Sequence, residues 1–433
     1  MRVFPENFLW GAAAASAQIE GGWNEGGRTP SIWDMAPKGK IKNGDTCHTA
    51  CDHYHRYKED VALMKEMGLK SYRFSVSWSR VIPEKGKVNP EGLQFYVNLV
   101  KELKAANIEP LCTLYHWDMP MWVYEEGGWE KDAIIKNYCD FARVMVEALS
   151  NDVTYWMTFN EPQCFIMMGY IMGTHAPFKR KFLTFRGIVR RMLLAHGEGV
   201  TVIRKYAKTP PKIGIAMAAT TYIPDGDTPE DLEKARYYSF GHAVGSGSNS
   251  LWMDPIALGK AAGLVKNKLS KQDLQVISQP IDFIGLNVYQ PSNHMLPGNK
   301  VPEDAKKTAL GWLVDGRCLY WTIRHYYERY HLPVMVTENG MADHVTPSPD
   351  GAVHGADRCD FLREFLGNVK QAVAEGIPVL GYQHWSVMDN FEWCEGFEPR
   401  FGLIHVDYAT QKRTIKDSGH AYAQIIRENG ENL

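Results

Sequence analysis

The sequence predicts one closed (β/α)8 barrel of the TIM type, with elaborated βα loops, over residues 1–433. Three observations carry this. The chain has 433 residues, the size of one large barrel or of two medium domains. Short β-like runs alternate with longer helical patterns, which implies a parallel sheet, and eight such units imply closure. No Pro/Ser-rich linker, tandem repeat or low-complexity segment divides the chain.

The first predicted strand, "FLWGAAAASA" (8–17), is unusually small-sided. The amphipathic stretch 51–68 follows, with Tyr54, Tyr57, Val61, Met64 and Met67 about one helical turn apart. "KSYRFSVSW" (70–78) alternates like a strand, and 90–107 opens with Pro90, a good first helical residue. "IEPLCTLYH" (108–116), helix 131–150 and "DVTYWMTFNEP" (152–162) continue the alternation. The remaining strands are expected at 212–219, 282–289, 333–340 and 378–386, with helices clearest at 316–331, 358–376 and 416–428. The segment 220–270, rich in Gly, Ser, Asp and Pro, reads as an irregular insertion around the fifth strand–helix step.

Composition narrows the function. The net charge is −2 with mixed signs, so neither nucleic acid nor an anionic membrane is expected as a partner. No apolar run of spanning length and no leader with a sustained apolar core is read. Eight scattered cysteines without a C-x-x-C pair fit reduced thiols and a cytoplasmic protein. His53 and His55 stand two apart on one helix and point away from each other, and no H-E-x-x-H occurs, so no metal is expected. No phosphate-cradling glycine loop is present, and no cofactor is expected. Thirteen tryptophans suit both a large core and sugar stacking; Trp33, Trp78, Trp129 and Trp156 read as packing residues.

Barrel active sites lie at the C-terminal ends of the strands, and here those ends are not apolar filler. They carry Gln18 and Glu20, Arg73, His116 with Trp117 and Asp118, Asn160 with Glu161, Asn287 with Tyr289, then Glu338, and Trp385 followed by Glu392 and Trp393. A single glutamate after a strand is ordinarily a solvated loop residue. Two glutamates over one cavity, Glu161 on strand four and Glu338 on strand seven, strands expected to face each other across the barrel, are what glycoside hydrolysis needs: one protonates the leaving oxygen, the other attacks or activates water. Gln18, Asn160, His116 and Glu392 could pair with sugar hydroxyls.

Taken in order, "FPENFLWGAAAASAQIEGGWNEGGRTPSIWD" (4–34), "YRFSVSWSRVIP", "LYHWDMP", "TFNEP", "IGLNVY", "VTENG", "HWSVMDNFEW" and "RFGLIHVDY" (400–408) resemble the family 1 glycoside hydrolases, the retaining β-glucosidase family, over nearly the whole chain. The resemblance implies a β-glucosidase acting on terminal β-D-glucosyl residues of short oligosaccharides and aryl glucosides. It implies Glu161 as acid/base and Glu338 as nucleophile, about 5–5.5 Å apart. It further implies Asn160 on the sugar 2-hydroxyl, and Gln18, His116, Trp117, Glu392 and Trp393 around the non-reducing sugar. Trp385 becomes its stacking floor, and Arg73, Asn287 and Tyr289 orient the nucleophile. Its partners are small β-glucosides.

Departures bear on specificity. Related plant thioglucosidases carry Gln where Glu161 stands, so an O-glycosidase is expected. The 6-phospho-β-glycosidases grip phosphate with Ser, Lys and Tyr after "FEW", where this chain has "CEGFEPRFG" (394–402). A 6-phospho-β-glycosidase and an inactive sugar-binding barrel stand as alternatives. Gln18 and Glu392 suit either orientation of the fourth hydroxyl, so glucose, galactose and fucose stay open. "LVDGRCLY" (313–320) and Phe178 in "GTHAPF" differ from the common family pattern on the leaving-group side.

Overall fold

The computed structural model describes residues 3–241, 248–296 and 301–433. Eight parallel strands close into a barrel in sequence order, β1 pairing with both β2 and β8. They are β1 Leu9–Ala13, β2 Ser71–Ser75, β3 Glu109–Tyr115, β4 Tyr155–Asn160, β5 Lys212–Ala218, β6 Ile284–Asn287, β7 Val334–Asn339 and β8 Val379–Trp385. Each predicted strand is present. The predicted helices appear at His53–Glu66, Pro90–Ala105, Ala133–Leu149, Arg317–Tyr330, Ala356–Ala374 and Asp417–Arg427.

Three expectations need correction. β1 ends at Ala13, short of the expected 8–17, and Ser16–Ile19 forms a helical turn, so Gln18 sits on that turn rather than directly after a strand. The 220–270 segment is largely helical in its described part: Pro229–Phe240 starts where the Thr228 side chain caps the Asp231 amide, and Asn249–Met253 continues into the π-helical Asp254–Leu258. Its turn-like composition marks caps and junctions. β4 and β7 are three steps apart around the ring, whereas β8 lies opposite β4.

The lumen is layered. At the bottom Leu111, Met157, Phe283 and Met335 form an apolar plug. Above it the inward side chains become polar: Gln383 Nε2 donates to Ser71 Oγ at 2.8 Å, and Arg73 Nε donates to Thr113 Oγ1 at 3.1 Å. Outside the barrel, Tyr72, Phe74, Trp156, Ile213 and Ile215 pack beneath the helical ring. Trp33, Trp78, Trp129 and Trp156 are all buried, as the sequence reading expects.

The small side chains of the first strand have a use. Ala13 and Ala15 pack with Ala342, Phe401 and the Trp385 ring, giving a bulky indole room at the upper rim. β7 and β8 approach closely there: a Cβ on Gly340 would meet the Trp385 carbonyl oxygen at 1.8 Å. Gly340→Ala must push these strand ends apart. A loss of about 1–3 kcal/mol is expected, read as a lower urea midpoint, and an unchanged midpoint would show that the ends relax freely.

Candidate active site

β4 ends where Pro162 opens the short helix Pro162–Ile166. Proline disfavours the right-handed helical region at the residue before it, and Glu161 adopts φ +43°. Its amide still extends the sheet, donating to the Ala216 carbonyl at 2.8 Å. Trp117 (φ +75°) and Trp393 (φ +50°) are similarly left-handed, and such residues cluster where local structure serves a site. Register shifts interrupt β4–β5 between Met157 and Asn160, and β6–β7 between Leu286 and Asn287. Irregularities of this kind re-aim side chains at a barrel rim.

Glu338 lies within β7, one residue from its end, and is buried. Arg73 Nη1 donates to its Oε1 at 2.6 Å and Tyr289 OH to its Oε2 at 2.7 Å. The other Arg73 donors are also used: Nη1 reaches the Thr337 carbonyl at 3.1 Å and Nη2 reaches Asn160 Oδ1 at 2.7 Å. That oxygen also accepts from Asn287 Nδ2 at 3.0 Å, so the Asn160 amide is fixed with Nδ2 toward His116 Nε2, 2.9 Å away. His116 then accepts at Nε2 and carries its hydrogen on Nδ1. Burial, and the nearby Arg73 charge, hold its pKa well below the ordinary histidine value, so the ring is neutral. Asn287 is fixed in the same way: Oδ1 accepts from Thr337 Oγ1 at 2.6 Å while Nδ2 donates to Glu161 Oε1 at 2.9 Å.

The two acids differ in environment. Burial, then the charge of Glu338, push the Glu161 carboxyl up to about 7. Burial also raises Glu338, but Arg73 and the Tyr289 hydroxyl oppose that shift. A third acid, Glu392, is pushed up to about 8 by burial and by Glu338 and Glu161, with Gln18 Nε2 3.3 Å from its Oε2.

These groups surround one cavity of about 510 Å3. His116, Trp117, Asn160, Glu161, Asn287, Tyr289, Glu338, Trp385, Glu392 and Trp393 line it. Gln18 and Arg73 join through hydrogen bonds to Glu392, and to Glu338 and Asn160. His116 stacks between Trp385 (5.8 Å between ring centroids) and Trp393 (6.0 Å). Trp117 stacks on Trp393 at 4.8 Å, and Trp33 backs Trp393 at 4.5 Å. Two strand-end acids do not line the cavity. Glu20 takes Arg80 Nε at 3.0 Å and Tyr96 OH at 2.5 Å, and Asp118 takes Ser16 Oγ at 2.9 Å.

The family model described as Glycosyl hydrolase family 1 matches residues 1–431. The chain belongs to glycosyl hydrolase family 1. It is similar to beta-glucosidase A of Thermotoga maritima, with 39% identity over 451 residues, covering 99% of each chain. It is equally similar to the 1,4-beta-D-glucan glucohydrolase of Thermotoga neapolitana, 39% identical over 450 residues and 99% of each chain. Among solved structures, the beta-glucosidase from Thermotoga maritima in complex with glucoimidazole superposes with a TM-score of 0.91 at 38% identity, covering 99% of this chain and 100% of that one.

Sequence reasoning overlooked the supports of this family 1 site. Thr113 and Thr337 bind Arg73 and Asn287, and neither carries a charge or a motif signal. Asp389 is the larger omission, because "MDNFEW" places it between Trp385 and Glu392. Wholly buried, it accepts from Lys416 Nζ at 2.8 Å, Arg400 Nη1 at 2.9 Å and the Gly402 amide at 2.9 Å. It thereby ties down the loop that presents Glu392 and Trp393. Asp389→Ala strands a buried ammonium and is expected to cost about 3–5 kcal/mol. Asp389→Asn keeps the shape, and its mark is a raised KM in a folded enzyme. Wild-type values for both variants would show that the loop holds itself.

Proposed function

We propose that Glu338 and Glu161 hydrolyse β-D-glucosides by double displacement, with Glu338 as nucleophile and Glu161 as acid/base. The family's retaining β-glucosidase chemistry requires one ionised and one protonated carboxyl over the anomeric carbon. One observation carries the assignment: among the described residues, Glu338 bonds directly to a cation, Arg73, and to the Tyr289 hydroxyl, whereas Glu161 has the neutral Asn287 amide.

In the first step a Glu338 oxygen bonds to the anomeric carbon as the carbon–oxygen bond to the aglycone breaks. Glu161 gives its proton to the departing oxygen. Glu338 is then a neutral ester, so the charge that helped raise Glu161 is gone, and the Glu161 pKa falls. Glu161 can now take a proton from water as that water attacks the anomeric carbon, releasing the sugar and regenerating the Glu338 carboxylate. Two inversions give net retention.

Asn160, with its Nδ2 toward the cavity-lining His116, is assigned to the sugar 2-hydroxyl. Gln18, His116, Trp117, Glu392 and Trp393 take the remaining hydroxyls, and Trp385 is the floor beneath the ring. Glu395, at the exposed rim of the cavity, opposes a 6-phosphate, while Glu398 is already paired with Lys42 Nζ at 2.6 Å. We assign the chain to one catalytic domain, since β1 closes on β8 and the C-terminal helix contacts Ala356–Ala374. All eight cysteines are free, which fits the cytoplasm. Among the described residues no helix is long and apolar enough to cross a membrane.

Glu161→Ala is expected to lower kcat/KM for cellobiose by roughly 10²–10⁴, because the leaving oxygen loses its proton donor. The same variant should still be glycosylated by 2,4-dinitrophenyl β-D-glucoside, whose leaving group needs little protonation, and azide should then be captured as β-glucosyl azide. Undiminished cellobiose hydrolysis would reverse the assignment. The pH profile gives an independent check. Glycosylation needs Glu161 protonated, so kcat/KM should fall as pH rises through about 7. That limb should vanish in Glu161→Gln.

A further inference from the structure

Two sides of the cavity come from strands that do not touch. His116 and Trp117 follow β3, whereas Glu392 and Trp393 follow β8, and β2 and β1 stand between those strands in the ring. No ladder bond between β3 and β8 can therefore set the spacing of the two sides. The helical turn Ser16–Ile19, which follows β1, lies in that interval. Its Gln18 reaches the β8 side. The Gln18 carbonyl accepts the Phe391 amide at 3.1 Å, and Gln18 Nε2 lies 2.9 Å from the Phe391 carbonyl oxygen, 3.0 Å from Asn390 Oδ1 and 3.3 Å from Glu392 Oε2.

The first residue of the turn reaches the other way. The Ser16 amide donates to Ser75 Oγ, at the end of β2, at 2.8 Å. Ser75 Oγ donates to Ser16 Oγ at 3.2 Å, and the Ser16 hydroxyl in turn donates to Asp118 Oδ2 at 2.9 Å. All three side chains are buried, where hydrogen bonds are strong and unpaired polar groups costly. Asp118 directly follows Trp117, whose φ of +75° is a state that an ordinary side chain holds only when its surroundings impose it. Asp118 does not line the cavity. Burial pushes its carboxyl up to about 7, so a neutral amide is a close substitute for it. Bonds at both ends of one turn thus join the loop after β3 to the loop after β8.

We propose that the Ser16–Asp118 hydrogen bond positions sugar recognition: it fixes the His116 side of the cavity against the turn that holds Gln18 and Glu392, and so sets how sharply the fourth hydroxyl is read. Ser16 and Asp118 are positioning residues and act through their neighbours. This rests on the β-glucosidase reading above. The test uses 4-nitrophenyl β-D-glucoside and β-D-galactoside, which differ only at the fourth carbon, so the leaving group and the two acids weigh equally on both. The wild type should separate them by tenfold or more in kcat/KM. Ser16→Ala and Asp118→Ala should each reduce that ratio by roughly fivefold, about what one net hydrogen bond is worth, through a raised KM for the preferred sugar with kcat little changed. Asp118→Asn keeps an acceptor for Ser16 and should retain the ratio. The double variant should lose no more than either single one, because the same bond is removed in all three. Ser16→Ala deletes only a hydroxyl, so it decides the matter even where Asp118→Ala fails to fold. A wild type that does not separate the two sugars, or a ratio unchanged in Ser16→Ala, would overturn the proposal and leave the glucosidase reading standing. The Ile32–Met119 and Trp117–Asn160 hydrogen bonds would then hold the β3 loop unaided. Turnover of neither glycoside by the wild type would overturn both.

Discussion

The site is organised around one buried ion pair in the barrel lumen. Arg73 and Glu338 are 1% and 3% exposed, and stripping a guanidinium and a carboxylate of water to that degree costs several kcal/mol per ion. The pair is tolerable because the remaining hydrogen-bonding capacity is used. Arg73 spends its other donors on Thr113, the Thr337 carbonyl and Asn160. The barrel supplies those acceptors from β3, β7 and β4 at once, something no isolated strand could do. A planar fork with donors in fixed directions also transmits orientation. Asn160 is set by Arg73, His116 by Asn160, and the His116 hydrogen by both. The polarity of the cavity is thus decided by a guanidinium that does not itself line it.

The position of this pair on β2 and β7 explains why the upper lumen is polar while the lower lumen is packed with Leu111, Met157, Phe283 and Met335. The apolar plug excludes water from beneath and makes the ring rigid. Rigidity matters because a nucleophile a fraction of an ångström out of line loses much of its advantage. Asp389 extends the same logic to the rim, where a buried carboxylate held by Lys416 and Arg400 fixes a loop that has no sheet of its own.

Much of this was legible in the sequence, for identifiable reasons. Periodicity located all eight strands, and the polar residues at their C-terminal ends located the site, because buried strands tolerate Glu338, Asn160 or Arg73 only where they have work to do. Helix signals were weaker in 220–270, where Thr228 and Pro229 are helix-start residues as well as turn residues. The turn carrying Gln18 was misread because an alanine run fits strand and helix equally. Register shifts at Asn160 and Asn287 leave no trace in periodicity, since they arise from pairing between distant strands. Thr113, Thr337 and Asp389 were missed because their roles depend on partners that only the closed barrel brings together.

Charge counting completes the picture. Three carboxyls, Glu161 and Glu338 buried and Glu392 half-buried, share a cavity in which Arg73 is the cation bonded to Glu338. Like charges in a low-dielectric cavity disfavour ionisation of all three, and one guanidinium balances one carboxylate. The Arg73 and Tyr289 contacts assign that ionisation to Glu338, which leaves Glu161 and Glu392 as the groups pushed to about 7 and about 8. A protonated Glu392 presents a hydroxyl as well as a carbonyl oxygen, so it can donate to a sugar hydroxyl as well as accept from one. Burial first, and then the Glu338 charge, favours the protonated form of both Glu161 and Glu392, so in the proposed double displacement formation of the Glu338 ester would act on both at once.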